Sequence, residues 1–237
     1  GWYIRHEAAE YYYDRPGDYQ RAQGLFLDLT KDIRKYQQLN NNLVYKSYRR
    51  LSQLNGLLSQ PMQAVAYTDS TIAYAERNGL TQLPEYAESL MDYYNSTTNM
   101  AMKDSSTLKN QYVAIRKIAE FIPHTTNHSL LSKLYQLLAA AAYKFGEYNH
   151  TGLLSAKAEE EMIKVKTDNT ERHANLLQTW AFALLYSKER SMALAEQKLL
   201  QSVDIRKKLN NNATSYITSK IDLGGFYHRT CLLYTSP

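Results

Sequence analysis

The chain of 237 residues is 44% apolar and 22% charged, which excludes an intrinsically disordered tail and is typical of a globular protein. Its 28 basic and 23 acidic residues give a net charge of +5, and the two signs are interspersed, which argues against a surface built for nucleic acid. No apolar run reaches the ~18–20 residues that a membrane-spanning helix requires.

Glycine and proline are sparse, with 9 and 5 residues, and most of them stand singly. A sheet protein needs turn signals about every 8–12 residues, so this spacing favours helices. Alanine, leucine, glutamine, lysine and glutamate, which favour helices, are plentiful, whereas valine is scarce. The sequence therefore predicts an all-α protein.

The predicted elements are pairs of helices in which large and small residues recur three or four positions apart, so that they share one helical face. The first pair is predicted from Ala9, Glu10, Tyr13, Ala22, Phe26 and Leu29. The second pair is predicted from Tyr48, Leu51, Ser52, Asn55, Ala64, Thr68 and Thr71. The third pair is predicted from Ala87, Leu90, Met91 and Tyr94, with its second helix at about Leu108 to Phe121.

The later elements follow the same pattern. The fourth pair contains Tyr135, Leu138, Ala139, Ala142, Tyr148, Thr151, Ser155 and Ala158. The fifth pair contains Thr179, Phe182, Ala183, Tyr186, Ala195, Leu199 and Ser202, and a final single helix contains Lys220, Leu223, Gly224 and Tyr227. Breaks between helices are predicted at Gly17, at Pro61, which suits the first position of a helix, and at Gly146.

The fourth pair, read as Tyr-x2-Leu-Ala-x2-Ala-x3-Gly-x-Tyr-x2-Thr-x3-Ser-x2-Ala, resembles the tetratricopeptide repeat (TPR), W-x2-L-G-x2-Y-x3-G-x-Y-x2-A-x3-F-x2-A. The signature Trp is absent from its expected position. The units recur at roughly 40 residues, longer than the TPR standard, and residues 195–209 resemble the kinesin-light-chain-like branch. The resemblance implies an α-solenoid of stacked antiparallel hairpins in a right-handed superhelix, and an unrelated α-solenoid is the alternative.

The domain organisation expected from this resemblance is one array over residues 1–230, comprising about five hairpins plus one helix. Residues 231–237 resemble a translated adapter sequence. They are therefore predicted to be a non-native tail on a fragment. The single cysteine, Cys231, lies in that tail, so cysteine usage does not distinguish cytoplasm from periplasm.

In the TPR family the first helix of each repeat lines a concave groove, so the resemblance implies a groove that binds a peptide or protein segment. The residues at the groove-facing positions of these first helices are Lys46, Arg49, Gln53, Glu85, Glu88, Asp92, Asn95, Lys133, Gln136, Tyr143, Leu177, Trp180 and Leu184. Charge reversal at Lys46 and Arg49 is predicted to weaken partner binding without changing stability. Trp180 has an alternative role, which is to fill a hairpin junction.

The sequence carries little that predicts catalysis. His6-Glu7-Ala-Ala-Glu10 lacks the second histidine of a zinc-protease helix, and a polar helix face is the favoured interpretation. His124 and His128 are predicted to lie in a loop before a helix near Ser129, without a third metal ligand. The run 159–161 of three glutamates is predicted to be a solvated face. No phosphate-binding glycine loop or nucleophile motif is present, so no enzyme, metal or cofactor is predicted.

The predicted function is a protein–protein interaction scaffold, as the TPR segment of a larger bacterial signalling or regulatory protein. The alternative is a helical-repeat nucleic-acid-binding protein, which requires basic residues at equivalent groove positions. Glu85, Glu88 and Asp92 occupy such positions in the third repeat, so the sequence favours a protein or peptide partner.

Overall fold

The computed structural model describes residues 1–32, 41–98, 105–188, 190–210 and 213–234. Within these ranges the chain forms eleven α-helices and a short 3₁₀ helix, Ile122–His124, and no strand. The helices are α1 (Trp2–Tyr13), α2 (Tyr19–Asp32), α3 (Asn41–Leu57), α4 (Pro61–Arg77), α5 (Pro84–Thr98), α6 (Ser105–Phe121), α7 (His128–Lys144), α8 (Tyr148–Lys164), α9 (Glu171–Tyr186), α10 (Met192–Asn210) and α11 (Thr214–Tyr234). The predicted all-α class is confirmed.

The chain divides into two compact units, unit 1 (Gly1–His124) and unit 2 (Thr125–Pro237). Residues 235–237 lie outside the described part, while α11 extends to Tyr234. The single array over residues 1–230 and the non-native tail at 231–237 stay predictions. None of the helices that the structure describes combines the length and the apolar character needed to cross a membrane.

Unit 1 consists of the hairpins α1–α2, α3–α4 and α5–α6, and it is continuous because α2 also contacts α3 and α4 contacts α5. Its core contains the fully buried side chains of Phe26, Leu29 and Leu51. Small residues mark the close approach of α3 and α4, where Ser52 Oγ donates to the carbonyl oxygen of Ala64 at 3.0 Å. Both residues stand at repeat positions that the sequence analysis assigned to the second pair.

Unit 2 consists of the hairpins α7–α8 and α9–α10, followed by α11, and α8 contacts α9 while α10 contacts α11. Ala139 on α7, Ala158 and Met162 on α8, and Leu176 on α9 form one buried cluster. The chain turns between α7 and α8 at Gly146, whose φ of +79° is a conformation that favours glycine. The predicted hairpin break at this position is confirmed.

Helix starts also follow signals in the sequence. Pro61 is the first residue of α4, as predicted. Helix α7 begins at His128, one residue earlier than predicted, because the side chain of Asn127 caps it by accepting the backbone N–H of Leu130 at 3.1 Å. Helix α6 ends at Phe121 as predicted, but it begins at Ser105, three residues before the predicted start at about Leu108.

The three consecutive glutamates of α8 do not form the predicted solvated face. Glu160 is exposed, but Glu161 is only 8% exposed and its Oε2 lies 2.6 Å from His128 Nδ1. Glu159 is half-buried and accepts hydrogen bonds from Lys198 Nζ at 2.9 and 3.1 Å. The prediction is wrong for two of the three residues, because α7 and α9 pack against α8 and side chains of α7, α9 and α10 reach these two carboxylates.

Candidate functional site

The first helices of the unit 1 hairpins, α1, α3 and α5, turn one face into the core and leave another toward solvent. On α3 the core face includes the buried residues Val44 and Leu51. The predicted groove residues of α3 and α5 lie on the other face. Six of them are half-buried: Lys46, Arg49, Gln53, Glu85, Glu88 and Asp92. The seventh, Asn95, is exposed. We call this face of α1, α3 and α5 the first-helix surface of unit 1.

Arg49 joins α3 to α5 on this surface. Its Nη2 lies 2.7 Å from Oε2 of Glu88 and 3.8 Å from Oδ2 of Asp92. Three predicted groove residues from neighbouring hairpins are thus brought together, and the charge of Arg49 offsets part of the charge of the two carboxylates. Reversing the charge of Arg49 would place three carboxyl groups side by side. That substitution is therefore expected to lower the stability of the protein, which differs from the prediction made from the sequence.

Arg50 joins α3 to α1 in a similar way, and sequence reasoning missed it. Its Nε and Nη2 donate to the two carboxylate oxygens of Glu10 at 2.9 and 2.8 Å, and its Nη1 donates to Gln53 at 3.0 Å. The guanidinium also lies 4.1 Å from the ring centre of Tyr13. Burial disfavours the charge of Arg50, but the hydrogen bond and charge of Glu10 outweigh it and raise the Arg50 pKa.

An open cavity of about 420 Å³ lies on the first-helix surface between α1, α3 and α5. Four of the predicted groove residues line it: Lys46, Arg49, Gln53 and Glu85. Residues of α1 that the family positions did not include complete the lining, among them His6, Glu7 and Glu10. The candidate site is therefore a mixed-charge cavity to which three successive first helices contribute.

His6 is the least expected member of this lining. It is only 3% exposed, so the prediction that its helix turn forms a polar face is wrong for this residue. Its ring stacks on Trp2 at 5.8 Å and meets the edge of Phe26 at 5.7 Å between ring centres. Neither ring nitrogen has a hydrogen-bond partner among the residues that the structure describes. Burial is the main cause that lowers the His6 pKa below 6.5. The negative charges of Glu10 and Glu7 raise this pKa, and the positive charges of Lys46 and Arg50 lower it further.

We expect the stability of the protein to fall as the pH drops below about 6.5, because the unfolded chain then binds a proton at His6 that the folded chain resists. The loss is complete once the pH passes below the folded-state pKa. Urea denaturation at pH 7.5 and 5.5 measures it, and the variant His6→Leu should show a smaller difference between the two conditions. Equal pH dependence in both proteins would contradict the expected role of His6.

In unit 2 the predicted groove residues Lys133, Gln136 and Tyr143 are half-buried on α7. Gln136 Nε2 donates to the carbonyl oxygen of Arg172 on α9 at 3.0 Å. Tyr143 lies near the end of α7, where its ring centre is 5.7 Å from that of Tyr148 and burial raises its pKa. These positions leave part of each side chain accessible.

The groove residues predicted on α9 pack against other helices. Leu177 is fully buried, so its assignment to the groove is wrong. Trp180 lies against Gly152 on α8, and Lys198 Nζ of α10 is 4.1 Å from its ring centre. Leu184 packs against the buried cluster formed by α9, α10 and α11. Contacts with two second helices favour the alternative role of Trp180, which is to fill the space between hairpins.

The two histidines with metal-ligand spacing lie on different elements. His124 ends the 3₁₀ helix, and His128 begins α7 and contacts Glu161. In the described ranges, no group of three or more His, Cys, Asp or Glu side chains is arranged to hold a metal ion.

No protein-family model matches the sequence, and comparison with curated proteins finds no match. The crystal structure of BtubC (BKLC) from P. vanneervenii is similar, with a TM-score of 0.68 at 12% identity over 83% of this chain and 76% of that chain. The crystal structure of a putative kinesin light chain from Podosopora anserina, with nearly identical TPR-like repeats, gives a TM-score of 0.61 at 16% identity over 88% of this chain and 96% of that chain. At these identities the likeness concerns the fold. The chain is therefore a helical-repeat protein with the tetratricopeptide-type fold of kinesin-light-chain-like repeats.

Proposed function

We propose that the protein is an interaction scaffold that binds a peptide or protein segment on the exposed faces of its first helices, and that it carries no catalytic site of its own. In unit 1 the proposed surface is centred on the cavity between α1, α3 and α5. The observation that supports the proposal best is that Lys46, Arg49, Gln53 and Glu85, chosen by family position alone, line this one cavity. Trp180 is not included, because it packs against second helices.

A surface of this composition suits a polypeptide. Side chains of both signs lie within one cavity, so they can fix the register of a bound segment through complementary charges. Glu10 and Gln53 are already oriented by Arg50, so part of the surface is ordered before a partner arrives. On α7, Lys133, Gln136 and Tyr143 are proposed as a corresponding surface of unit 2.

Lys46→Glu is expected to weaken binding of a selected peptide about tenfold, equivalent to about 1.4 kcal/mol. The same change should alter the free energy of unfolding by no more than about 1 kcal/mol, because Lys46 lies in an open cavity and has no ion-pair partner among the described residues. Peptides would be selected from a random display library and their affinity measured by fluorescence anisotropy. Lys109→Glu, an equal charge reversal on the exposed side of α6, is the matched control.

Equal loss of affinity in Lys46→Glu and Lys109→Glu would show that only net charge matters and would contradict the proposed surface. A library that yields no peptide above background would contradict the proposed function itself. Nucleic-acid binding is disfavoured because Glu88 and Asp92 lie beside Arg49. Tight binding of nucleic acid with a steep salt dependence in a filter assay would favour it instead.

The finer part of the proposal is that the chain is a segment of a larger bacterial signalling or regulatory protein. It is supported by the resemblance to bacterial TPR arrays that precede a membrane helix and a kinase or DNA-binding domain. The complete reading frame tests it, since such segments downstream would support the proposal and their absence there would contradict it.

A further inference from the structure

Two carboxylates in the cavity on the first-helix surface of unit 1 lack a partner within the described part of the chain. Glu7 on α1 is exposed, Glu85 on α5 is half-buried, and both line the cavity. Neither carboxylate has a hydrogen bond or an ion pair among the described residues. Because they come from different helices, a ligand that reaches both would be held from two sides.

The other acidic groups at this cavity already bind arginine. Glu10 accepts hydrogen bonds from Nε and Nη2 of Arg50 at 2.9 and 2.8 Å. Beside the cavity, Glu88 and Asp92 lie 2.7 and 3.8 Å from Nη2 of Arg49. In two places, therefore, a guanidinium of α3 holds carboxylates of a neighbouring first helix. The two unused carboxylates are left without such a group.

The charge around the cavity is net negative in the described part of the chain. The cations that line it are Lys46, Arg49 and Arg50. They face the three carboxylates of the lining and the two of Glu88 and Asp92 that Arg49 binds. Lys46 offsets only part of this excess of negative charge, so the cavity favours an incoming cation over an anion.

His6 adds a buried hydrogen-bonding group to the same lining. It is only 3% exposed, and neither ring nitrogen has a hydrogen-bond partner among the described residues. Glu10 Oε1 is 3.9 Å from Nε2, beyond hydrogen-bond distance. Because burial lowers the His6 pKa below 6.5, the ring is uncharged at neutral pH and one of its nitrogens is an acceptor. A donor that enters the cavity would satisfy this acceptor, which is costly to leave unpaired.

We propose that the cavity receives one basic side chain, an arginine or lysine of the bound segment, between the carboxylates of Glu7 and Glu85. Its N–H groups donate to these carboxylates and to the unprotonated ring nitrogen of His6. A guanidinium suits the site well, because its donors form a fork that can join different helices, as Arg50 joins α3 to Glu10 of α1. This inference rests on the proposed function, because the basic residue belongs to the segment bound on the same surface.

Protonation of His6 should oppose this binding, because an imidazolium has no acceptor and repels a cation. The charged groups that act on the ring are Glu7 and Glu10 of its own helix and Lys46 and Arg50 of α3, while α2 contributes the apolar ring of Phe26. A bound cation should lower the His6 pKa further. Affinity should therefore weaken about tenfold per pH unit as the pH falls from the pKa of free His6 to that of bound His6.

The test measures binding of N-acetyl-arginine N-methylamide by NMR in protein with ¹³C-labelled histidine. The matched control is the citrulline analogue, which has nearly the same shape but no charge, at equal ionic strength. The arginine probe should shift the His6 resonance and lower the His6 pKa, whereas the citrulline probe should do neither.

Glu7→Gln and Glu85→Gln should each weaken binding of the arginine probe about tenfold, because each removes one charged acceptor while keeping the shape of the side chain. Glu120→Gln makes the same change at an exposed position of α6 outside the cavity and should leave the affinity unchanged. Circular dichroism should show the same helical content in all three variants.

Equal responses to the arginine and citrulline probes would overturn the inference. So would Glu7→Gln and Glu85→Gln variants that bind the arginine probe as well as Glu120→Gln does. A stronger response to N-acetyl-glutamate N-methylamide would also overturn it, because the cavity would then prefer an anion. Display-selected peptides that lose affinity in Lys46→Glu but not in Glu85→Gln would leave the proposed function standing while refuting the capture of a basic side chain.

Discussion

Replacing Glu159 by alanine is expected to lower the free energy of unfolding by about 2 kcal/mol, because it leaves two buried partners of a half-buried carboxylate without their acceptor. The Glu159 carboxylate is bound by Lys198 on α10 and lies 3.2 Å from His173 Nε2 on α9. Lys198 and His173 are each only 7% exposed. Their polar groups would lose their acceptor in a region that water hardly reaches, which is the main cost of the substitution. The ring of Trp180, 4.1 Å from Lys198 Nζ, offsets a part of it.

The neighbouring residue provides a matched control. Glu160 is exposed and bridges to Lys164 on its own helix, so Glu160→Ala should change the free energy of unfolding by no more than about 0.5 kcal/mol. Urea denaturation measures both variants. A similar effect at the two positions would show that the network around Glu159 is not a stabilising element.

The pH dependence gives an independent check on Glu159. Burial disfavours its charge, but hydrogen bonds from His173 and Lys198 outweigh burial and lower its pKa below 4.5. A carboxyl group of this kind contributes stability above about pH 4.5, and the contribution is lost as the pH falls through the folded-state pKa. The difference between wild type and Glu159→Ala should therefore shrink in acid.

Ala139→Leu is expected to cost about 1–3 kcal/mol, because it adds methyl groups to a packed core. Ala139 is fully buried and contacts a cluster that includes Ala158 and Met162 of the partner helix α8 and Leu176 of α9. Its small side chain allows α7 and these helices to approach, and leucine would force them apart. Urea denaturation monitored by circular dichroism measures the cost.

Ala140→Leu is the control for this prediction, because the same change is made one residue away on the exposed side of α7. It should leave the free energy of unfolding within about 0.5 kcal/mol of wild type. Equal stability of Ala139→Leu and wild type would contradict the placement of Ala139 at a helix–helix contact.

Features that depend on nearest neighbours along the chain were predictable. Gly146 and Pro61 marked a hairpin turn and a helix start, because positive φ and a missing N–H are properties of the single residue. Residues three or four positions apart share a helical face whatever surrounds the helix. For this reason Ala139 could be placed in the core, and Lys46 and Arg49 on the accessible side of α3, from spacing and family position.

Features that depend on which helices meet were not predictable in the same way. Arg50 and Glu10 are 40 positions apart, and His173 and Glu159 bond across two helices. Spacing along one helix does not show where another helix will pack against it. His6 and Glu159 therefore looked like members of polar faces, although neighbouring helices cover both.

The helical hairpins and their small-residue contacts were thus encoded locally, because turn chemistry and the 3.6-residue period act within one helix or turn. The cavity on the first-helix surface of unit 1, with its unused donors on His6 and Arg49, exists only because α1, α3 and α5 pack side by side. Burial and electrostatic balance arise from that packing, since they depend on distances between residues that are remote along the chain.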